Sequence, residues 1–140
     1  MSVEKIDTLI VGAGQAGIAI SEHLGRAAIP HLVVERSRIA ERWRSERWDA
    51  LVANGPAWHD RFPGMEFDGA PDAFVPKDKV ADYFAAYAEK IAAPIRCGVE
   101  VQELRRNPDG HVTAILRNVP EPLDVSRRCL SVLRPLVRGF

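Results

Sequence analysis

Three glycines near the start of the chain have the spacing of a phosphate-binding turn. They are Gly12, Gly14 and Gly17 in the stretch DTLIVGAGQAGIAI, and they follow an apolar run. Gly12 would let the chain turn sharply off a strand, and Gly14 would let a diphosphate approach the backbone. Gly17 would let a helix pack closely against a sheet, with its N-terminal N–H groups facing the phosphates. The spacing alone is weak evidence, so the flanking elements must decide.

The residues on either side predict a strand, a helix and a second strand. TLIVG is typical of a short buried strand, and the apolar spacing beyond Gly14 predicts a crossover helix over residues 15–28. HLVVE then predicts a second buried strand that ends at Glu35. This order in about 30 residues is that of a βαβ unit. The glycines therefore lie where a dinucleotide-binding turn requires them.

Glu35 strengthens this interpretation because of its position. It lies 18 residues beyond Gly17, at the end of the second predicted strand. A carboxylate there accepts hydrogen bonds from a ribose diol and repels a 2′-phosphate. The residues thus favour FAD or NAD over NADP in this pocket, and they leave the choice between FAD and NAD open. Arg36 would flank the adenine or lie in solvent.

The rest of the chain predicts a second helix and a hairpin. Apolar residues repeat at helical spacing over residues 79–92, and GVEVQELRR alternates as a strand. The turn at Asp109 and Gly110 is followed by HVTAIL, which predicts a β-hairpin. The fold class expected is α/β: a partial, Rossmann-like FAD/NAD(P)-binding domain with a mostly parallel sheet and a hairpin.

Composition excludes several classes of function. Nineteen basic and nineteen acidic side chains cancel among 140 residues, so no net charge favours nucleic acid or an anionic membrane. Cys97 and Cys129 have no C-x-x-C spacing, and the four histidines have no metal-ligand spacing, so no metal site is expected. No signal peptide or membrane span is apparent, which makes the cytoplasm the expected location.

The last 24 residues differ in charge from the rest of the chain. Residues 117–140 carry five arginines against two acids, whereas residues 1–116 carry 14 basic and 17 acidic side chains. We expect a dinucleotide-binding domain over residues 1–116 and a basic tail over residues 117–140, from a truncated or frame-shifted gene. Helical spacing in the tail predicts a helix capped by Asp124. An unfinished sheet would leave an open edge and face, through which the chain would self-associate.

A resemblance to a known family distinguishes FAD from NAD. Residues 37–67 are rich in tryptophan, arginine and turn residues, with Ala40-Glu41-Arg42-Trp43 followed by Asn54-Gly55-Pro56. These residues resemble the G-G-x-W loop and the N-G-P turn of the flavin-containing monooxygenases, the class B flavoprotein monooxygenases. The likeness covers roughly residues 6–116. It departs from the family pattern at the loop, where both glycines are replaced.

The resemblance implies an FAD-dependent monooxygenase. Such an enzyme takes hydride from NADPH, traps O₂ as a C4a-(hydro)peroxyflavin and oxygenates a small organic substrate. The resemblance implies Asn54 as a catalytic residue beside the flavin, and it implies cofactor binding by Gly12, Gly14, Gln15, Ala16, Gly17, Glu35, Arg36, Arg42, Trp43 and Val101. The family's second glycine fingerprint, which holds NADPH, is absent. The alternatives are a non-catalytic FAD- or dinucleotide-binding fragment and, third, an NAD-binding module.

Overall fold

The computed structural model describes residues 3–125. Within that range the elements follow one another as seven strands and four helices. They are β1 Glu4–Ile6, β2 Leu9–Val11, α1 Gln15–Arg26, β3 Leu32–Glu35, α2 Glu41–Ser45, α3 Ala57–Asp60, α4 Lys77–Lys90, β4 Ile95–Cys97, β5 Val101–Arg106, β6 Val112–Leu116 and β7 Leu123–Val125.

The central layer is a parallel sheet in the order β2–β3–β4. Leu9 pairs with Leu32 across β2 and β3, and Val33 pairs with Ile95 across β3 and β4. Strand β3 is the middle strand, and its residues Leu32, Val33 and Val34 are all buried. Burial on both faces explains why this strand reads as a continuous apolar run.

Helix α1 covers one face of this sheet. Leu24 packs with Ile10, Ala13 and Val33 in one apolar cluster. The chain from β2 through α1 to β3 is therefore the predicted βαβ crossover, and the predicted fold class is confirmed.

A second sheet covers the opposite face. Its order is β1–β7–β6–β5, with β1 and β7 parallel and the other two pairs antiparallel. The β5–β6 pair is the predicted hairpin. Apolar side chains from both sheets share one core, made of Ile6, Leu32, Val34, Ala114, Leu116 and Leu123. The three layers are thus helix, parallel sheet and mixed sheet.

Strand β7 lies in the segment for which the sequence predicted a helix. Asp124, expected to cap that helix, pairs with Lys5 of β1 and Thr113 of β6 instead. Its carboxylate lies 3.1 Å from Nδ1 of His111. Strand β7 has three residues, and its partners lie on two other strands, so its sequence is too short to show a recognisable strand pattern. The remainder of the predicted tail helix lies outside the described residues.

Both predicted helices exist, with ends two residues earlier than expected. At the end of α1, Ala28 adopts a left-handed φ of 53°, and Ile29 N–H donates to the Leu24 carbonyl. The end of α4 repeats this geometry, with Ala92 at φ 51°. These are Schellman motifs, which usually carry glycine at the left-handed position. Because alanine occupies this position in both motifs, the sequence contains no glycine signal for either helix end.

Helix α4 forms the largest core with the loops before it. Its buried residues pack against Ile18 of α1 and against buried residues of segment 40–75.

The mixed sheet covers the face of the parallel sheet that was expected to be open. Strand β2 keeps a free edge in the described structure, and Val11 on it is 57% exposed. Self-association stays a prediction.

Candidate functional site

The glycine turn after β2 has the conformation that its sequence predicts. Gly12 has φ +104°, a conformation that residues with a side chain rarely adopt. Its N–H donates to the Val34 carbonyl over 2.7 Å, which fixes the turn against β3. The chain thus reverses at the end of the strand and enters α1 within three residues.

Gly14 and Gly17 lack side chains for different reasons. A Cβ on Gly17 would lie 1.9 Å from the Gly12 carbonyl oxygen, so the helix meets the turn where no side chain fits. A Cβ on Gly14 would meet nothing within 4 Å, because that position faces open space. Gly17 is required by the protein's own packing, whereas Gly14 leaves room beside the start of α1.

The first turn of α1 presents free backbone donors to that space. The first intrahelical bond runs from Ile18 N–H to the Gly14 carbonyl, so the N–H groups of Gln15, Ala16 and Gly17 precede it. No acidic side chain lies in this turn and none caps it. The positive end of the helix therefore faces the cavity.

The Glu35 carboxylate points into the same space. Oε2 accepts a hydrogen bond from Ala13 N–H at 2.8 Å, and Oε1 accepts one from Ser37 N–H at 2.9 Å. The carboxylate is thus held beside the glycine turn by two backbone donors. We call Gly12, Gly14, Gly17 and Glu35 together the glycine crevice.

Helix α2 forms a wall of the crevice. Ala40, just before it, has φ +60° and is 2% exposed, and its N–H donates to the Ala13 carbonyl at 2.9 Å. This residue occupies the first glycine position of the resembled G-G-x-W loop. The left-handed backbone that glycine would favour is therefore adopted by alanine.

Charged side chains on and beside α2 are paired with one another. Glu46 lies 3.5 Å from the Arg36 guanidinium and 3.0 Å from that of Arg42. The hydrogen bond from Arg38 lowers the pKa of Glu41 to about 2, with a smaller contribution from the Ser45 hydroxyl. Arg36 and Arg42, which share Glu46 as their partner, therefore border the cavity. Glu41 also borders it, and its low pKa keeps its carboxylate charged.

Trp43 joins this wall to the core. Its ring meets Phe84 of α4 edge-on at 5.9 Å, and the Arg47 guanidinium lies 5.9 Å from its ring centre. The side chain is partly buried and lines the cavity.

The hairpin sheet borders the cavity from the other side. Val99 N–H donates to the Glu35 carbonyl at 2.9 Å, which fixes the start of β5 next to the end of β3. Val101 lies at the cavity, where the resemblance places a backbone contact to adenine. The cavity is open to solvent and has a volume of about 670 Å³, and its lining includes all ten predicted cofactor-binding residues: Gly12, Gly14, Gln15, Ala16, Gly17, Glu35, Arg36, Arg42, Trp43 and Val101.

Comparisons with known proteins agree with this geometry. No model of a known protein family matches the chain. A CzcO-like uncharacterized oxidoreductase from Geobacillus kaustophilus is 37% identical over 105 residues, which are 74% of this chain and 30% of the relative. An indole-3-pyruvate monooxygenase, YUCCA1 from Oryza sativa, is 32% identical over 96 residues, or 68% of this chain and 24% of that protein.

A solved structure shares the fold. The flavin-containing monooxygenase from Stenotrophomonas maltophilia superposes with a TM-score of 0.76 at 19% identity, over 87% of this chain and 36% of that one. The chain belongs to the flavin monooxygenase-like family. It spans about a quarter to a third of the length of these proteins.

Asn54 lies apart from the cavity of this flavin monooxygenase-like chain. It is exposed and does not line the cavity. Its turn is fixed by Asp60, whose Oδ2 accepts the Gly55 N–H at 2.8 Å. A Cβ on Gly55 would lie 2.6 Å from Asp60 Oδ1, so a side chain at this position would have to displace the Asp60 carboxylate. Asp60 was not among the predicted site residues, and the catalytic role of Asn54 stays a prediction.

A group of aromatic residues that the sequence did not single out holds the loop after that turn. Phe67 stacks on Tyr83 at 3.8 Å, and Phe62 packs on Tyr87 at 4.6 Å and on Phe84 at 5.3 Å. We call these five residues the aromatic clamp. The helical spacing of the aromatic residues on α4 is visible in the sequence. Their contacts with Phe62 and Phe67, which lie 16 or more residues earlier in the chain, are not.

The tyrosine hydroxyls of the clamp complete the backbone bonding of the loop. Phe62 N–H donates to Tyr83 Oη at 2.6 Å, and the same hydroxyl donates to the Met65 carbonyl at 2.6 Å. Tyr87 Oη donates to the Pro63 carbonyl at 3.0 Å. Burial raises the pKa of both tyrosines, so both remain neutral donors over the ordinary pH range.

In residues 3–125, no group of three or more His, Cys, Asp or Glu side chains is placed to hold a metal ion. In the same part of the chain, no helix has the length and apolar character needed to cross a membrane.

Proposed function

We propose that the cavity binds the ADP half of FAD. We propose further that the full-length protein is an NAD(P)H-dependent flavoprotein monooxygenase that oxygenates a small organic molecule with O₂. The observation that carries the cofactor proposal is the position of the Glu35 carboxylate, which accepts a hydrogen bond from Ala13 N–H in the glycine turn and lines the cavity. The named relatives, an oxidoreductase and a monooxygenase, support the activity.

The described residues fit the groups of an adenosine diphosphate. The diphosphate fits the open space at Gly14, next to the free donors at the start of α1. The ribose hydroxyls would donate to Glu35, whose two oxygens keep lone pairs beyond the backbone bonds. Val101 would offer its backbone to the adenine, and Arg36 would lie beside it. When bound, FAD would accept hydride and react with oxygen.

A second proposal concerns the 140-residue chain by itself. The cavity lining contains the predicted cofactor-binding residues but not Asn54, the single predicted catalytic residue. We infer that this chain binds FAD and ADP-like ligands without turning over a substrate. The second glycine fingerprint, which would hold NADPH in the resembled family, is absent from these 140 residues, and hydride transfer depends on a positioned nicotinamide.

Binding measurements on the purified chain test the cofactor proposal. We expect a yellow protein or one that takes up FAD in titration calorimetry, with ADP competing for the same site. ADP that carries an additional 2′-phosphate (2′-phosphoadenosine 5′-diphosphate) should bind at least about tenfold more weakly than ADP, because Glu35 repels the extra phosphate. A chain that binds neither FAD nor ADP would refute the proposal, and one that binds only NAD would favour the third interpretation.

The Glu35→Gln variant isolates the role of the carboxylate. We expect a loss of about tenfold in ADP affinity and a smaller discrimination against the 2′-phosphate. Glu103→Gln is the matched control, since that exposed side chain pairs with Arg105 on β5 and is not among the residues that line the cavity. Because partial unfolding would weaken both ligands equally, the ratio of the two affinities identifies a direct contact. An unchanged ratio would contradict the assignment.

A further inference from the structure

Lys77 is buried in a place that disfavours a cation. It is 6% exposed, and among residues 3–125 it shares the class of buried polar or charged side chains only with Ser21. It is the first residue of α4, where the helix dipole repels positive charge. Burying an ammonium group also removes its hydration. A lysine here therefore needs a compensating partner.

The partner is the end of α2. Lys77 Nζ donates to the Arg44 carbonyl at 2.8 Å. The exposed carboxylates of Asp78 and Asp49 lie 3.4 and 3.9 Å away. Carbonyls in the last turn of a helix lack intrahelical donors and carry the negative end of the dipole. The ammonium thus caps the C-terminal end of the short helix that borders the cavity.

Besides the partly buried Trp43 ring, helix α2 has little packing against the core, and it therefore needs such a contact. It is five residues long, and none of its residues is buried. Its start is tied to the glycine turn by the bond from Ala40 N–H to the Ala13 carbonyl. The Arg44 side chain adds an ion pair with Asp82 of α4 at 2.8 Å, although both groups reach solvent. At the other end of α2, the buried contact is the hydrogen bond from Lys77 Nζ to the Arg44 carbonyl, which we call the tie.

We propose that Lys77 is a positioning residue for the cofactor site. By fixing the end of α2 to α4, it places Arg42, Trp43 and Glu46 along the cavity wall. Lys77 itself does not line the cavity, so its effect on binding passes through the position of α2. This inference rests on the proposed cofactor site for its consequence, but the tie itself is independent of any ligand.

The test uses Trp43 as a reporter in the full chain with Trp48 and Trp58 changed to phenylalanine. Those two rings are 65% and 55% exposed, so their replacement leaves the core intact. In this background we compare Lys77→Met, which keeps the length and removes the ammonium, with Lys79→Met, an exposed lysine on the same helix. Lys77→Gln replaces the methionine variant if that one fails to fold. Emission, acrylamide quenching and ADP affinity are measured for each.

We expect Lys77→Met to shift Trp43 emission to the red, to raise its quenching about twofold and to weaken ADP binding about tenfold. Lys79→Met should match the parent, and Lys77→Arg should recover part of both effects. Unchanged Trp43 emission in Lys77→Met would overturn the tie, and altered emission with unchanged ADP affinity would overturn its role in binding. If the parent binds no ADP, the proposed function fails while the emission still decides the tie.

Discussion

The glycine crevice and the aromatic clamp lie on either side of Trp43 and are built in opposite ways. The crevice is made of backbone: a positive φ at Gly12, a close approach at Gly17 and two N–H groups on Glu35. The clamp is made of side chains, stacked rings and hydroxyls that serve a loop. A backbone-built site depends on the absence of atoms, and a side-chain-built site depends on their presence.

This difference predicts how each region responds to substitution. In the crevice, one added methyl group should either break the fold or block the ligand, according to which way it points. In the clamp, removal of single atoms should reduce the free energy of unfolding in steps, without changing ligand affinity in the folded protein.

The largest effect expected is that of Gly17→Ala. Its methyl group would have to enter the space of the Gly12 carbonyl, a backbone atom that cannot move without opening the turn. We expect a loss of about 3 kcal/mol in the free energy of unfolding, measured by denaturant titration. A variant as stable as the parent would show that the turn and the helix are not in close contact.

Gly14→Ala is the matched variant for the binding side of the crevice. Its methyl group meets no protein atom within 4 Å, so we expect a stability loss of no more than about 1 kcal/mol. The same group would occupy the proposed diphosphate space, and ADP affinity measured by calorimetry should fall about 100-fold. Normal ADP affinity in this variant would remove the crevice as the phosphate site.

The next effect in size is that of Tyr83→Phe in the clamp. It leaves the Phe62 N–H and the Met65 carbonyl without their partner, for an expected loss of about 2 kcal/mol in denaturant titration. Tyr87→Phe removes the partner of one carbonyl, and we expect about 1 kcal/mol. Both variants should keep the ADP affinity of the parent, and a matching loss of affinity would mean that the clamp and the crevice are coupled.

The raised pKa values of these tyrosines give the clamp a pH signature. The neutral form is favoured in the folded state, so this stabilisation is complete below the ordinary pKa of 10.0 and is lost as pH rises through the higher folded value. We expect the free energy of unfolding, measured from pH 9 to pH 11 (about one unit on either side of the ordinary tyrosine pKa), to fall more steeply in the parent than in Tyr83→Phe.

The two regions also differ in how far the sequence predicted them. The location of each crevice residue could be predicted, because glycine spacing between a strand and a helix indicates backbone requirements directly. That these residues bind a cofactor stays a prediction. Phe62 and Tyr83 meet across 21 residues of chain, and no local pattern in the sequence reports such a contact. The same holds for Lys77, whose partner is a carbonyl 33 residues away.

Errors in the prediction of elements have a related cause. The ends of α1 at Arg26 and of α4 at Lys90 were predicted two residues too late, because glycine, the usual signal for a left-handed residue, is absent at Ala28 and Ala92. Strands β1, β4 and β7 have three residues each and depend on pairing between distant segments. Local sequence contains the crossover and the hairpin, whereas these short strands are defined only by the assembled sheet.

The smallest effect concerns Ala40, where crevice and core meet. Ala40→Gly would relieve a left-handed alanine, worth about 1–2 kcal/mol. It would also remove a buried methyl group, at about 0.8 kcal/mol, and would increase the freedom of the unfolded chain by about as much. We expect the free energy of unfolding to change by less than about 1 kcal/mol.

Ala53→Gly provides the comparison for Ala40→Gly, since Ala53 belongs to the same core cluster, is 6% exposed and has no positive φ. It has no strain to relieve, so the two remaining costs should add to about 1.5 kcal/mol in denaturant titration. Equal losses in the two variants would mean that Ala40 is unstrained. A smaller loss at Ala40 would mean that Ala40 is strained. The turn into α2 would then keep the backbone conformation of the glycine loop it resembles, and burial of the alanine methyl group in the core would offset the strain.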